Sequence, residues 1–164
     1  MKFHPSTVQA RYESPLGPMI VAATDLGLAG LWFEGQRHLP DTSAWPDAPT
    51  HPLLVEAVAQ LRDYFAGRRT CFELPLDLQG GTAFQQSVWQ ALLAIPAGGT
   101  TSYGDIGQRV GRPSAVRAVG AAVGRNPVSI VVPCHRVVGR DGSLTGYAGG
   151  LDRKSALLKL ERTD

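Results

Sequence analysis

The sequence predicts a mixed α/β (α+β) protein built in two parts. Residues 1–76 read as a small N-terminal domain with a three-stranded antiparallel sheet and a helix, and residues 77–164 as a mainly helical C-terminal domain. Three observations carry this. Short apolar runs separated by turn residues fill positions 7–34, and helical periodicity begins at Pro52. Beyond Leu78-Gln79-Gly80-Gly81-Thr82, the clearest boundary in the chain, the pattern turns helical. With 164 residues, 43% of them apolar, three Trp and five Phe, the chain can bury a sizeable core. No apolar run reaches the roughly 18 residues of a membrane span, and Met1-Lys2-Phe3-His4-Pro5-Ser6 leads into no signal-peptide core. Cys71 and Cys134 are the only cysteines and nothing around them demands a disulfide, so a reducing, cytoplasmic setting is expected.

Val8–Tyr12, Met19–Ala23 and Leu28–Phe33 are the three strands, separated by Ser14-Pro15-Leu16-Gly17-Pro18 and Thr24-Asp25-Leu26-Gly27 as turns. Residues 35–51 form a Pro/Asp/Thr-rich connection. Leu54, Val58, Leu61 and Phe65 recur at helical spacing, which predicts a helix from Pro52 to about Ala66. Phe72–Leu76 could add an edge strand. In the second part Phe84, Val88, Ala91 and Leu92 mark a helix ended by Ile95-Pro96. Thr100 or Thr101 can cap a helix from Tyr103 to about Val110. After Gly111-Arg112-Pro113, Ser114–Val123 makes a further helix, and two helices joined by a glycine-containing turn suggest a helix-turn-helix. Leu151–Leu160 is the last helix, with Leu157 and Leu160 inward.

Charge divides with the domains. Residues 1–76 hold six Lys/Arg against eight Asp/Glu, net −2, whereas residues 77–164 hold ten against six, net +4. The second part is therefore the one expected to meet a polyanion.

The chemistry-bearing stretch is Pro133-Cys134-His135-Arg136-Val137-Val138, entered through Val128–Val132, a β-branched run that predicts a buried strand. A thiol and an imidazole side by side at a strand end suit nucleophilic catalysis, although a lone cysteine is commonly a small buried hydrophobe. Arg117, Ala121 and Gly124 share a helix face beside Gly120. Glycine inside a helix costs roughly 1 kcal/mol relative to alanine, so Gly120 points either to close helix packing in the core or to a helix pressed against an external surface. Residues 139–150 carry five glycines and form a shaped loop, in which Tyr147 could stack on a planar ligand. Glu161 sits in a final helical turn, where the dipole disfavours a carboxylate. It is either a surface glutamate or one with a partner.

Six runs occur in order: Phe84-Gln85-Gln86-Ser87-Val88-Trp89, Thr101-Ser102-Tyr103-Gly104, Arg117-Ala118-Val119-Gly120, Asn126-Pro127, Pro133–Val138 and Gly146-Tyr147-Ala148-Gly149-Gly150. Together they resemble the O6-alkylguanine-DNA alkyltransferases, the methylated-DNA–protein-cysteine methyltransferases, over essentially all of residues 77–164 and more loosely over the first part. The resemblance implies direct-reversal repair of double-stranded DNA containing O6-alkylguanine and, less readily, O4-alkylthymine. Cys134 would be nucleophile and final acceptor, His135 the base acting through an ordered water, and Glu161 the residue fixing its tautomer, with Asn126 bracing the turn. Arg117 would fill the stack vacated by a flipped base and Tyr103 would crowd the adjacent phosphate. The helix bearing Arg117, Ala118, Gly120 and Ala121 would enter the minor groove. Tyr147, Val137, Ala148 and Lys154 would surround the base. Ala148 stands where some relatives carry a serine that contacts the leaving oxygen, and Gly139 is expected to keep the pocket mouth open.

No cofactor or metal is implied, since Cys71, His4, His38 and His51 do not make the zinc site some relatives have. The protein is expected to be a stand-alone monomer, with copies able to line up on DNA. Competing readings are a non-catalytic alkyltransferase-like lesion-recognition protein, against which Cys134 stands, a cysteine hydrolase, and a plain helix-turn-helix regulator.

Overall fold

Strands β1 (Val8–Ser14), β2 (Gly17–Ala23) and β3 (Leu28–Phe33) form an antiparallel meander in the computed structural model, which describes residues 1–162. The first hairpin is tight because Ser14 closes it. Its hydroxyl donates to the Gly17 carbonyl at 2.6 Å and accepts from Leu16 N–H at 3.1 Å, and Gly17 takes φ +117°. Helix α1 (Pro52–Phe65) lies across the sheet, capped by His51 and started by proline at its first position. Its inward residues are Leu54, Ala57, Leu61 and Tyr64, while Val58 and Phe65 are only partly covered. Leu54 and Leu61 are fully buried, each contributing about 1.5–3 kcal/mol.

Every residue of β3 is buried. One face joins the main core, and on the other Trp32 lies over Gly30, where a Cβ would collide with its ring, and packs with Phe3 and Trp45. The outer edge of β3 is covered by two other segments. Leu28 N–H donates to Pro75 C=O at 2.8 Å, and Leu31 N–H donates to Pro127 C=O at 2.8 Å.

Those edge contacts correct two expected strands. Phe72–Leu76 pairs only through a single bridge, Leu28 with Leu76, because Pro75 cannot donate to a ladder. Val128–Val132 likewise pairs only at Val128, against Leu31, and then folds into consecutive turns with Ile130 at φ +72°. An apolar run specifies burial, but a buried turn is open to it when the backbone polar groups find partners. Here they do: Val131 N–H reaches Ser129 C=O at 2.8 Å, Val132 N–H reaches Val128 C=O at 2.9 Å, and Cys134 N–H reaches Val132 C=O at 2.8 Å.

The C-terminal part comprises α2 (Ala83–Leu92), β4 (Thr101–Ser102), α3 (Tyr103–Arg109), α4 (Val116–Gly124), β5 (Val137–Val138) and α5 (Leu151–Glu161), with one 3-10 turn at Cys134–Arg136. A capping box between Thr82 and Gln85 starts α2, and Trp89 Nε1 donates to Ala122 C=O at 2.8 Å, pinning α2 to α4. Ser102 caps α3 rather than Thr100 or Thr101, because Thr101 and Ser102 pair in parallel with Val137 and Val138. That two-residue sheet ties the α3–α4 pair to the segment following Cys134. Gly139 is explained by its own loop. A Cβ there would meet Ser143 Oγ and Asp141 Oδ1, so the glycine permits a tight turn.

Candidate active site

Asn126 holds the turn that presents the thiol. Its Nδ2 donates to Val132 C=O at 2.7 Å and its Oδ1 accepts from Val128 N–H at 2.9 Å, so one amide spans both ends of the turn. The chain then enters the 3-10 turn, which starts at Cys134 and turns His135 and Arg136 inward. Cys134 is buried, and burial pushes its thiol above the usual range. Asn126 and the positive charge of Lys154 pull it back. The thiol thus stays protonated until a base takes the proton.

His135 follows Cys134 directly in the chain and is turned inward by the same 3-10 turn. Its side chain is fully buried, and Nε2 lies 2.7 Å from Glu161 Oε2. Burial lowers the imidazole's proton affinity, against the pull of Glu161, so the ring is neutral near pH 7. Burial likewise acts to raise Glu161, but hydrogen bonds from His135, Arg136 and Tyr64 outweigh it and hold the carboxyl at about 2. An ionised carboxylate only accepts, so Nε2 carries the hydrogen and Nδ1 keeps its lone pair. Nδ1 is buried and has no protein partner among the described residues.

Arg136 and Tyr64 complete the cluster. Arg136 donates through Nε to Glu161 Oε1 at 2.8 Å and through Nη2 to Oε2 at 2.9 Å, and its Nη1 donates to Ile95 C=O at 2.6 Å. Tyr64, on α1, donates its hydroxyl to Glu161 Oε2 at 2.6 Å. Glu161 can reach this point because α5 buries Lys154, Leu157 and Glu161 on one face. The charge disfavoured at the helix end is compensated by a guanidinium instead.

The remaining predicted residues fall around a second region. Val137 is buried in β5. Lys154 is buried and donates from Nζ to Thr145 C=O at 3.1 Å, which anchors the glycine-rich loop from beneath. Tyr147 and Ala148 are half-buried, and the Tyr147 hydroxyl oxygen is itself enclosed, with no hydrogen-bond partner among the described residues. Tyr103 shares a hydrogen bond with Thr145 Oγ1 at 2.9 Å. Arg117, Ala118 and Ala121 are exposed on α4 and Gly120 is half-buried. A Cβ on Gly120 would touch only the Tyr103 ring, at an ordinary 3.8 Å, and one on Gly124 would meet nothing. Core packing therefore does not account for these glycines.

A cavity of about 350 Å³ lies between α4 and the loop, bordered by Gly120, Ala121 and Gly124 on one side and Gly146, Tyr147 and Ala148 on the other. Arg37, His38 and Arg125 complete its wall. Burial and the two arginines lower the proton affinity of His38. Sequence reasoning did not single out Tyr64, Arg37, His38 or Arg125, and quoted Arg136 only as part of a motif. The 3-4-3 spacing of Leu54, Ala57, Leu61 and Tyr64 was the one available signal that Tyr64 faces inward. Among the described residues, no group of three or more His, Cys, Asp or Glu side chains is placed to hold a metal ion.

Fold and site together define a two-part protein that presents one buried thiol, a neutral histidine held by a carboxylate, and an exposed helix with a cation on it. Known proteins narrow that class. A family profile described as "6-O-methylguanine DNA methyltransferase, DNA binding domain" matches residues 83–163, and the companion "ribonuclease-like domain" matches residues 8–78. The methylated-DNA–protein-cysteine methyltransferase of Mycobacterium leprae is 52% identical over 150 residues, 92% of this chain and 89% of the relative. That of Methanosarcina acetivorans is 47% identical over 153 residues, 93% and 96% of the two chains. The crystal structure of Mycobacterium tuberculosis O6-methylguanine methyltransferase superposes with TM-score 0.86 at 48% identity, covering 94% of this chain and 92% of the other. The M. tuberculosis protein in complex with DNA superposes with TM-score 0.85 at 48% identity, covering 94% and 91%. The chain belongs to the 6-O-methylguanine DNA methyltransferase family.

Proposed function

We propose that this chain repairs DNA by direct reversal, taking the alkyl group of O6-alkylguanine, and less readily of O4-alkylthymine, onto Cys134 in a single irreversible transfer. The observation that carries the reading is the buried Cys134 beside a neutral His135 whose Nε2–H is committed to Glu161 and whose Nδ1 has no partner among the described residues.

The proton of the Cys134 thiol passes through a water to Nδ1 of His135, and Glu161 stabilises the imidazolium that results. The thiolate sulfur attacks the alkyl carbon as the bond from that carbon to O6 breaks, and the electron pair leaves on guanine. The product is a thioether, which has no ordinary route back to a thiol, so each molecule acts once.

The target atom lies inside a duplex, so the nucleotide is rotated out. Arg117 takes the vacated place in the stack. Tyr103 crowds the neighbouring phosphate, while Ala118, Gly120 and Ala121 let α4 approach the minor groove closely. Tyr147, Val137 and Ala148 surround the extruded base, and the enclosed Tyr147 hydroxyl suits a ring nitrogen. Arg37 and Arg125 place positive charge where the strand enters the cavity. The protein works as a monomer, in the cytoplasm where the thiol stays reduced.

Intact-protein mass spectrometry after incubation with a short duplex containing O6-methylguanine tests this. The expected gain is one CH2, mapped to Cys134, saturating at one equivalent and absent in Cys134→Ala. A duplex that stays bound with no mass gain would overturn the transfer reading in favour of lesion recognition alone.

A further inference from the structure

Three donors converge on one oxygen of Glu161. Oε2 accepts from His135 Nε2 at 2.7 Å, from Arg136 Nη2 at 2.9 Å and from the Tyr64 hydroxyl at 2.6 Å, whereas Oε1 accepts from Arg136 Nε alone. Two of these donors come from the 3-10 turn that carries Cys134. The third comes from α1, 97 positions away from Glu161 in the chain and on the other domain. Tyr64 is 2% exposed and its ring packs against Phe65 and Phe72, so the hydroxyl is held in place by its surroundings.

We propose that Tyr64 is a positioning residue for the transfer: by donating to Glu161 Oε2, its hydroxyl sets the strength of the Glu161–His135 hydrogen bond, so that a buried residue of the N-terminal domain acts on the base without itself touching DNA. This rests on the reading of His135 as the base.

The direction of the effect follows from charge. Glu161 is ionised and can only accept, so the phenol must donate. Burial and the neighbouring carboxylate hold Tyr64 well above its ordinary range, and the phenol keeps its proton throughout. Each donor on Oε2 withdraws part of the negative charge that would otherwise attract the imidazole proton. The other charged or titratable groups facing the pair are Arg136 from the 3-10 turn, Lys154 from α5, Tyr147 from the loop and Cys134 itself. Arg136 and Lys154 disfavour the imidazolium, and Glu161 favours it. Loss of the phenol hydroxyl leaves Oε2 more basic, the imidazolium becomes easier to form, and His135 is lost as an acceptor at a higher pH than in the intact protein.

The experiment is the single-turnover transfer rate from an O6-methylguanine duplex as a function of pH, for the wild-type chain and Tyr64→Phe. The acidic limb of Tyr64→Phe is expected to move up by about half a pH unit, so that transfer on that limb falls roughly threefold while stoichiometry stays at one. A purely structural Tyr64 would lower the unfolding midpoint and leave the limb in place. A fluorinated tyrosine at position 64 alone keeps the shape and donates more strongly, so its limb is expected to move down. An unmoved limb in both variants, with wild-type protein methylated at Cys134, overturns this inference alone. Wild-type protein that takes up no methyl group overturns the reading of the site and this inference with it.

Discussion

The cluster around Glu161 and the outer face of α4 treat polarity in opposite ways. At Glu161 both carboxylate oxygens are engaged, by His135, Arg136 and Tyr64, all of them buried side chains. On α4, Arg117 makes no ion pair or hydrogen bond with any described residue, and Ala118 and Ala121 simply face outward. A buried polar cluster must be complete, because each unpaired member carries the full cost of leaving water. A docking surface, the role proposed for α4, must be left incomplete, since its partner arrives later. The first therefore draws on residues from across the chain, and the second fits on about two and a half turns of one helix.

The strongest way to break this contrast is to remove the hub. Glu161→Ala leaves His135 and Arg136 buried without their acceptor, with an expected loss of about 3–5 kcal/mol in denaturant unfolding. Transfer measured in a quenched single turnover should fall about 10²–10⁴-fold. Wild-type stability in that variant would show the cluster to be solvated and the contrast false. Arg117→Ala makes the opposite cut. Stability is expected to stay within about 0.5 kcal/mol, and transfer from duplex DNA to drop about ten- to hundredfold, the cost of holding a base out of the stack unaided. Transfer from the free alkylated base should be unchanged; an equal loss on both substrates would place Arg117 in the chemistry instead.

Acid sharpens the comparison. Glu161 moves from an ordinary 4.5 to about 2 in the folded chain, so its contribution is present above pH 4.5 and is lost as the pH falls towards 2. The lowered proton affinity of His135 acts in the same direction, because burial favours its neutral form. The slope of unfolding free energy between pH 4.5 and 2 should flatten in Glu161→Gln by about 3 kcal/mol in total. The same slope in both proteins would mean that the carboxylate is not specially held. The smallest effect concerns Gly120, where alanine has room. Gly120→Ala is expected to raise stability by up to about 1 kcal/mol and to weaken DNA binding in a titration at fixed salt. Unchanged affinity would remove α4 from the groove.

Much of the fold was legible because local rules sufficed. The three strands and their turns, the periodicity of α1, and the Thr82 start of α2 all follow from residues within a few positions of one another. Val128–Val132 departs from the strand its composition predicts for a physical reason. Its composition demands burial, and only the Asn126 amide, bonded to Val128 and Val132, decides that the run folds back on itself rather than extending. The cap of α3 shifted to Ser102 for a similar reason, since Thr101 and Ser102 are held by Val137 and Val138.

The chain by itself determined that a thiol and an imidazole would be adjacent, because the peptide bond between Cys134 and His135 makes them so. It also determined that α4 would be smooth apart from Arg117, because helical spacing orders those residues. It did not determine what the imidazole leans on. Tyr64, His135, Arg136 and Glu161 meet only when α1, the 3-10 turn and α5 are packed together, and no local pattern records that one hydroxyl will find one carboxylate 97 positions away. Hydrophobic burial brings those elements together without regard to direction. The hydrogen bonds then select the single arrangement in which no donor to Glu161 is left without its acceptor.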